Sequence, residues 1–144
     1  MKRLELTEQE KNELAKEYPF LVSESDFNHI DDVPSGWLNI VKEFLPKLKA
    51  RLIEIDFLKD YKIMQIKEKF GFIRWYDNTA DDSIMNLIQE LEQKSEKTCI
   101  ICGEPATYVS LGWISPYCTE CKNHIEKKMK EDDMDKMFKE ITNE

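Results

Sequence analysis

Four cysteines, and no others, occur in the 144 residues of the chain: Cys99-Ile-Ile-Cys102, then fifteen residues, then Cys118-Thr-Glu-Cys121. Two Cys-x-x-Cys knuckles at such a separation are the pattern of a metal site, because four thiolates at about 2.3 Å complete a closed tetrahedral shell around zinc. The spacing predicts one structural zinc ion on Cys99, Cys102, Cys118 and Cys121. Iron in the same four-sulfur cage is the competing metal, since ligand type alone does not separate the two. A closed shell leaves no position for substrate, so the cage speaks to folding rather than to turnover. Between the knuckles, residues 107–111, a Gly112-Trp113 turn and residues 114–117 predict a short hairpin, and Gly103 suits the tight turn that aims backbone donors at sulfur. Knuckle, hairpin and a helix opened by the second pair is the order of a treble clef.

Two chemical alternatives fit less well. A dithiol redox site needs one accessible knuckle with a lowered thiol pKa. His124, three residues after Cys121, could replace a cysteine and open the shell, but on the expected helix it reads as a surface residue.

The formal charge of −8 would reach about −10 with four thiolates around a divalent ion. Phosphate backbones and anionic lipids repel such a molecule unless a local patch dominates, so nucleic acid is disfavoured as a general partner. No apolar run approaches a secretory signal or a membrane span. Reducing conditions favour metal thiolates over disulfides, which makes the cytoplasm the expected location. At 41% hydrophobic and 35% charged residues, the composition is that of a folded chain with one modest core.

Thr7 followed by Glu10 is a capping-box pattern and predicts a helix over residues 7–18, ended by Pro19. Residues 1–32 hold nine acids against four bases, so this is the acidic end of the molecule. Ser35 is the expected cap of a second helix, whose stripe is Trp37, Val41, Phe44 and Leu48 widened by Leu38, Leu45 and Leu52. Pro46 inside that pattern removes a backbone donor and predicts a kink or a restart. Residues 61–76 read as a β-hairpin turning at Glu68–Gly71, with Phe70, Phe72, Arg74 and Tyr76 on one face and Gly71, Ile73 and Trp75 on the other. Asp81 or Asp82 caps a third helix carrying Ile84, Leu87, Ile88, Leu91 and Ser95. After Asp132-Asp133, the spacing of Met134, Met137, Phe138 and Ile141 predicts a short C-terminal helix.

The expected fold class is α+β: a helix–hairpin–helix body with a C-terminal treble-clef or zinc-ribbon-like module. The divisions fall at an acidic segment, 1–34, the body, 35–96, and the cysteine module, 97–144. Neither histidine, His29 or His124, lies in a recognisable catalytic pattern, and the acidic pairs 31–32, 81–82 and 132–133 read as caps or solvated charge. Trp37 and Trp113 read as packing residues. The hairpin is the one basic stretch, with Lys62, Lys67, Lys69 and Arg74 against Glu68, and with Trp75 and Tyr76 beside them.

Gly36-Trp37, Gln65-Ile-Lys67-Glu-Lys-Phe70-Gly71, Arg74-Trp-Tyr76, Cys99-x-x-Cys102-Gly103, Gly112-Trp113 and Cys118 form a joint pattern over roughly residues 35–121. In it the chain resembles a family of small bacterial and bacteriophage proteins, without an assigned activity, that carry a Lys-Glu-Lys-Phe-Gly hairpin followed by a cysteine-knuckle end. Members often have Cys-x-x-His where this chain has Cys118-x-x-Cys121, which implies Cys121 as a ligand and makes His124 less necessary. The phage contexts of the family imply a role in host–phage conflict.

The expectation is a non-enzymatic, zinc-stabilised protein that binds, and so inhibits, a basic protein partner. Its acidic end steers the encounter, and the hairpin, through Lys67, Lys69, Phe70, Arg74, Trp75 and Tyr76, or the last helix supplies anchors. The alternative from a different class is a small nucleic-acid-binding module using Lys62, Lys67, Lys69, Arg74 and Trp75. The oligomeric state, a homo-oligomer included, is left open by the sequence.

Overall fold

Six apolar side chains at three- and four-residue steps, Leu38, Val41, Phe44, Leu45, Leu48 and Leu52, make the second helix the centre of the molecule, and all six are buried. The computed structural model describes residues 4–128 and 137–141. In chain order these form α1 (Glu8–Glu17), α2 (Leu38–Glu54), β1 (Ile63–Lys69), β2 (Phe72–Asp77), α3 (Asp82–Glu96), β3 (Tyr108–Ser110), β4 (Pro116–Tyr117), α4 (Thr119–Glu126) and β5 (Phe138–Glu140). The class is α+β, as expected.

The capping box of α1 is present in full: the Thr7 hydroxyl accepts from the Glu10 amide, and the Glu10 carboxylate accepts from the Thr7 amide, each at 3.1 Å. Asp81 caps α3 by accepting from the Ile84 amide. Strands β1 and β2 form an antiparallel pair joined by Phe70 and Gly71, at φ 55° and 88°. Positive φ at both central residues is what a two-residue hairpin turn with native twist requires. Strand alternation then turns Ile66, Ile73 and Trp75 into the core, where the Trp75 and Phe44 rings meet edge to face at 5.0 Å. Helix α3 adds Ile84, Ile88 and Leu91, and the acidic segment adds Tyr18, Phe20, Leu21, Ile30 and Val33 to the same core. Although it carries the acids, that segment is therefore part of the body's packing.

Three local expectations are corrected. Ser35 does not cap α2: residues 35–37 form a single 3-10 turn, and the Ser35 hydroxyl donates instead to the Ile101 carbonyl at 2.9 Å. Helix α2 runs unbroken through Pro46 with no restart, because buried Phe44, Leu45, Leu48 and Leu52 bracket the proline on one continuous face. Their combined burial outweighs the roughly 3 kcal/mol that an interior proline costs. The C-terminal stripe is not a helix where it is described: Phe138–Glu140 is β5, which pairs with β3 so that β4, β3 and β5 form one three-stranded sheet. The Phe138 ring lies edge-on to Tyr117 at 5.5 Å. Met134 and the pair at 132–133 lie outside the described residues.

Candidate metal centre

The cysteine module is built in the predicted order. The chain leaves α3, makes the first knuckle with Gly103 at φ 84°, crosses β3 and β4, and enters α4 at Cys118, whose sulfur is the helix N-cap and accepts from the Cys121 amide at 3.4 Å. Cys118 sits just before the helix and Cys121 in its first turn, so both sulfurs face the knuckle.

The four Sγ atoms lie within 4.8 Å of one another, with Cys102 and Cys118 at 3.5 Å. A tetrahedral shell with 2.3 Å bonds has sulfur–sulfur edges of about 3.8 Å, whereas a disulfide needs about 2.05 Å. All four cysteines are unbridged, and Cys99, Cys118 and Cys121 are buried. Burial pushes the Cys102 thiol up to about 11, opposed in part by the Glu104 amide and Cys121, and raises Cys121 further, where Cys118, Cys102 and Cys99 all add to it. At Cys99 burial acts in the same sense but is outweighed by the amides of Cys102, Cys118 and Ile101, which leave that thiol below its ordinary value. Four sulfurs gathered this closely could hold a metal ion, and a divalent charge would offset the cost of crowding thiolates there. The donor set fits a borderline-soft ion with four sulfur ligands. Among the described residues these four make up the one group able to hold a metal, and His124 is outside it.

The site is tied to the body by three consecutive residues. Besides the Ser35 contact, the Gly36 amide donates to the Ile100 carbonyl at 2.8 Å, and the indole of fully buried Trp37 donates to the Thr98 carbonyl at 3.0 Å. A second seam joins the two hairpins: Gly71 packs on Ile114, and the Glu68 carboxylate accepts from the Gly71 amide at 3.0 Å and from the Ser115 hydroxyl at 3.4 Å.

The hairpin residues expected to bind a partner are divided by these contacts. Trp75 is withdrawn from that role, because it is 5% exposed and its indole donates to the Tyr61 hydroxyl. Arg74 is half-buried, stacked 4.0 Å over the Phe72 ring and 3.6 Å from the Glu92 carboxylate. Lys62 pairs with Glu24 at 2.6 Å. Lys67 and Lys69 stand beside the Tyr76 and Phe70 rings, and both rings are exposed. Trp113 was expected to pack, yet it is 77% exposed on its turn, next to Leu111 and Ile114, which are exposed as well. Sequence reading missed this meeting of two turns, because it rests on the Gly71–Ile114 contact between residues 43 positions apart.

No helix among the described residues is long and apolar enough to cross a membrane. No family model, curated protein or solved structure matches the chain.

Proposed function

We propose that the chain is a zinc-scaffolded protein-binding module that performs no chemistry of its own. One zinc ion saturated by Cys99, Cys102, Cys118 and Cys121 would hold a treble-clef-like unit, with β5 as an added strand, against the α/β body. The observation that carries the binding role is a pair of large aromatic side chains, Phe70 at 67% and Trp113 at 77% exposed, on two turns that touch. Leu111 and Ile114 extend the surface, and Lys67 and Lys69 flank it. Exposed apolar clusters of this kind serve as interfaces, and Trp is the residue type most enriched at binding hot spots.

The Trp113 turn is also pre-shaped. The Ser110 hydroxyl donates to the Trp113 carbonyl and accepts from the Ser115 amide at 2.9 Å, and the Ser110 amide donates to the Ser115 carbonyl at 2.9 Å. A fixed turn loses little freedom on binding. In this reading the net charge of −8 speeds encounter with a basic protein, whose surface is then occupied and blocked.

The test is affinity capture with the native chain against a Phe70→Ala, Trp113→Ala double variant, followed by Asp26→Lys with Asp32→Lys. These two acids are suited to the charge test because Glu24 and Asp31 are already paired with Lys62 and Lys11. Proteins retained equally by the native chain and the double variant would remove the anchor role. Unchanged association rates after charge reversal would remove the steering.

A further inference from the structure

A groove of about 1120 Å³ lies between segment 16–29 and the stretch that leads from α2 into β1. Apolar and aromatic side chains, Phe20, Phe27, Tyr61 and Met64 among them, make up about half of the residues that line it, and polar and charged residues the rest. Phe27 is 40% and Met64 62% exposed, a large apolar area to leave open beside a concave surface. Four lysines, Lys16, Lys49, Lys59 and Lys62, stand around it against two carboxylates, Glu17 and Glu24. Lys62 is occupied by Glu24, and Lys49 donates to the Glu17 carbonyl at 2.8 Å. Lys16 and Lys59 are exposed and have no ion-pair partner among the described residues. The groove is thus a cationic place in a chain of formal charge −8.

His29 is the one histidine at the groove. It lines the groove, only 7% of it is exposed, and its Nδ1 has no hydrogen-bond partner among the described residues. That nitrogen is itself covered, so the ring belongs to the groove's wall and leaves ligand contact to the exposed side chains around it. Burial, opposed in part by the Asp32 charge, lowers the pKa of the ring and keeps it neutral, able to accept or to donate. Apolar concavities with a few convergent polar groups are the usual form of small-molecule sites.

We propose that this groove binds an amphipathic organic anion, an apolar chain or ring bearing one carboxylate, with its apolar part on Phe20, Phe27 and Met64 and its charge toward Lys16 and Lys59. A single charge suits the site, because Glu17 and Glu24 on the rim repel a polyanion. The site is separate in residues from the Phe70 and Trp113 surface and stands whether or not that surface binds protein.

The full metal-loaded chain, nitrogen-15 labelled, is titrated with dodecanoate, with dodecanol as the uncharged analogue, under calorimetry and amide-shift mapping. Saturable binding of one dodecanoate is expected, roughly tenfold tighter than dodecanol, a gap the size of one charge interaction. Shifts should fall at Phe20, Phe27, His29 and Met64 and be absent at Phe70 and Trp113. Lys16→Glu with Lys59→Glu, both at exposed positions, should leave melting unchanged and weaken dodecanoate about tenfold. Absence of saturable binding, equal affinity for acid and alcohol, or shifts centred elsewhere overturns the proposal. So does co-sedimentation with phosphatidylglycerol vesicles in the absence of dodecanoate binding, since that would assign the lysines to a lipid surface.

Discussion

The Gly36 amide donates to the Ile100 carbonyl at 2.8 Å, and this bond brings the start of the central helix against the first knuckle so closely that no side chain fits between them. A Cβ at Gly36 would lie 2.0 Å from the Cys99 carbonyl oxygen and 2.4 Å from the Ile100 carbonyl carbon. Both obstacles are backbone, so relief requires moving the knuckle. Gly36→Ala should cost roughly 3 kcal/mol, at the upper end for overpacking. Urea denaturation of the metal-loaded variant measures this, and native-like stability would mean that the module and the body are not held together at this seam.

Removing the metal should have a divided effect. The buried cysteines form a cluster of their own, distinct from the continuous core around α2. A chelator, or Cys99→Ser, is expected to abolish one bound ion per chain and to lower Tm by more than about 10 °C, because ion-binding free energy is folding free energy for such a module. The body should nonetheless keep a cooperative transition with its Trp37 and Trp75 emission still that of buried indoles. Elemental analysis with calorimetry checks both halves, and an unshifted Tm after complete chelation would show that the cage is not a scaffold.

What the sequence made legible was the local and the periodic. The cysteine spacing, the Thr7–Glu10 capping box, the Asp81 cap, the α2 stripe and the Gly71 turn each rest on residues a few positions apart, and each is found in the fold. What stayed hidden depends on distant partners. Ser35 has the composition of a cap, and only the arrival of Ile101, 66 residues later, gives its hydroxyl another role. The β5 residues fit helical spacing, and their strand state comes from pairing with β3, whose partners lie about thirty residues earlier in the chain, which no local pattern encodes. Alternation sorted Trp75 and Tyr76 onto opposite faces but did not say which face would be covered. The juxtaposition of Phe70 with the Trp113 turn and the groove beside His29 are likewise products of tertiary packing.

Phe70 holds a conformation its residue type disfavours. At φ 55° an aromatic residue pays about 1 kcal/mol that asparagine largely avoids, and its ring recovers little, being 67% exposed. Phe70→Asn should therefore raise stability by about 1 kcal/mol while weakening partner capture, a separation expected where a side chain is kept for binding. Urea midpoints read the first effect and the capture comparison the second. A variant less stable than the native chain would show that the ring contributes packing to the fold.

Tyr61 links stability to alkaline pH. Its hydroxyl donates to Asp77 Oδ2 at 2.7 Å and accepts from the Trp75 indole at 2.9 Å, deep in the core. Burial, reinforced by the Asp77 carboxylate and opposed by the indole donor, pushes its pKa far above the ordinary tyrosine value. A raised folded pKa means that the folded chain keeps its proton where the unfolded chain has lost it. The stabilisation from the neutral hydroxyl is thus complete below about pH 10 and declines by about 1.4 kcal/mol per pH unit above it. Tyr61→Phe strands both partners and should cost about 2 kcal/mol at neutral pH. Because the variant has no phenol to titrate, the stability difference between native and variant should shrink as pH rises past 10, while lysine titration, common to both, cancels. Urea midpoints of the two proteins between about pH 8 and 11 give that difference directly. A gap independent of pH would mean that the Tyr61 hydroxyl ionises as easily in the folded chain as in the unfolded one.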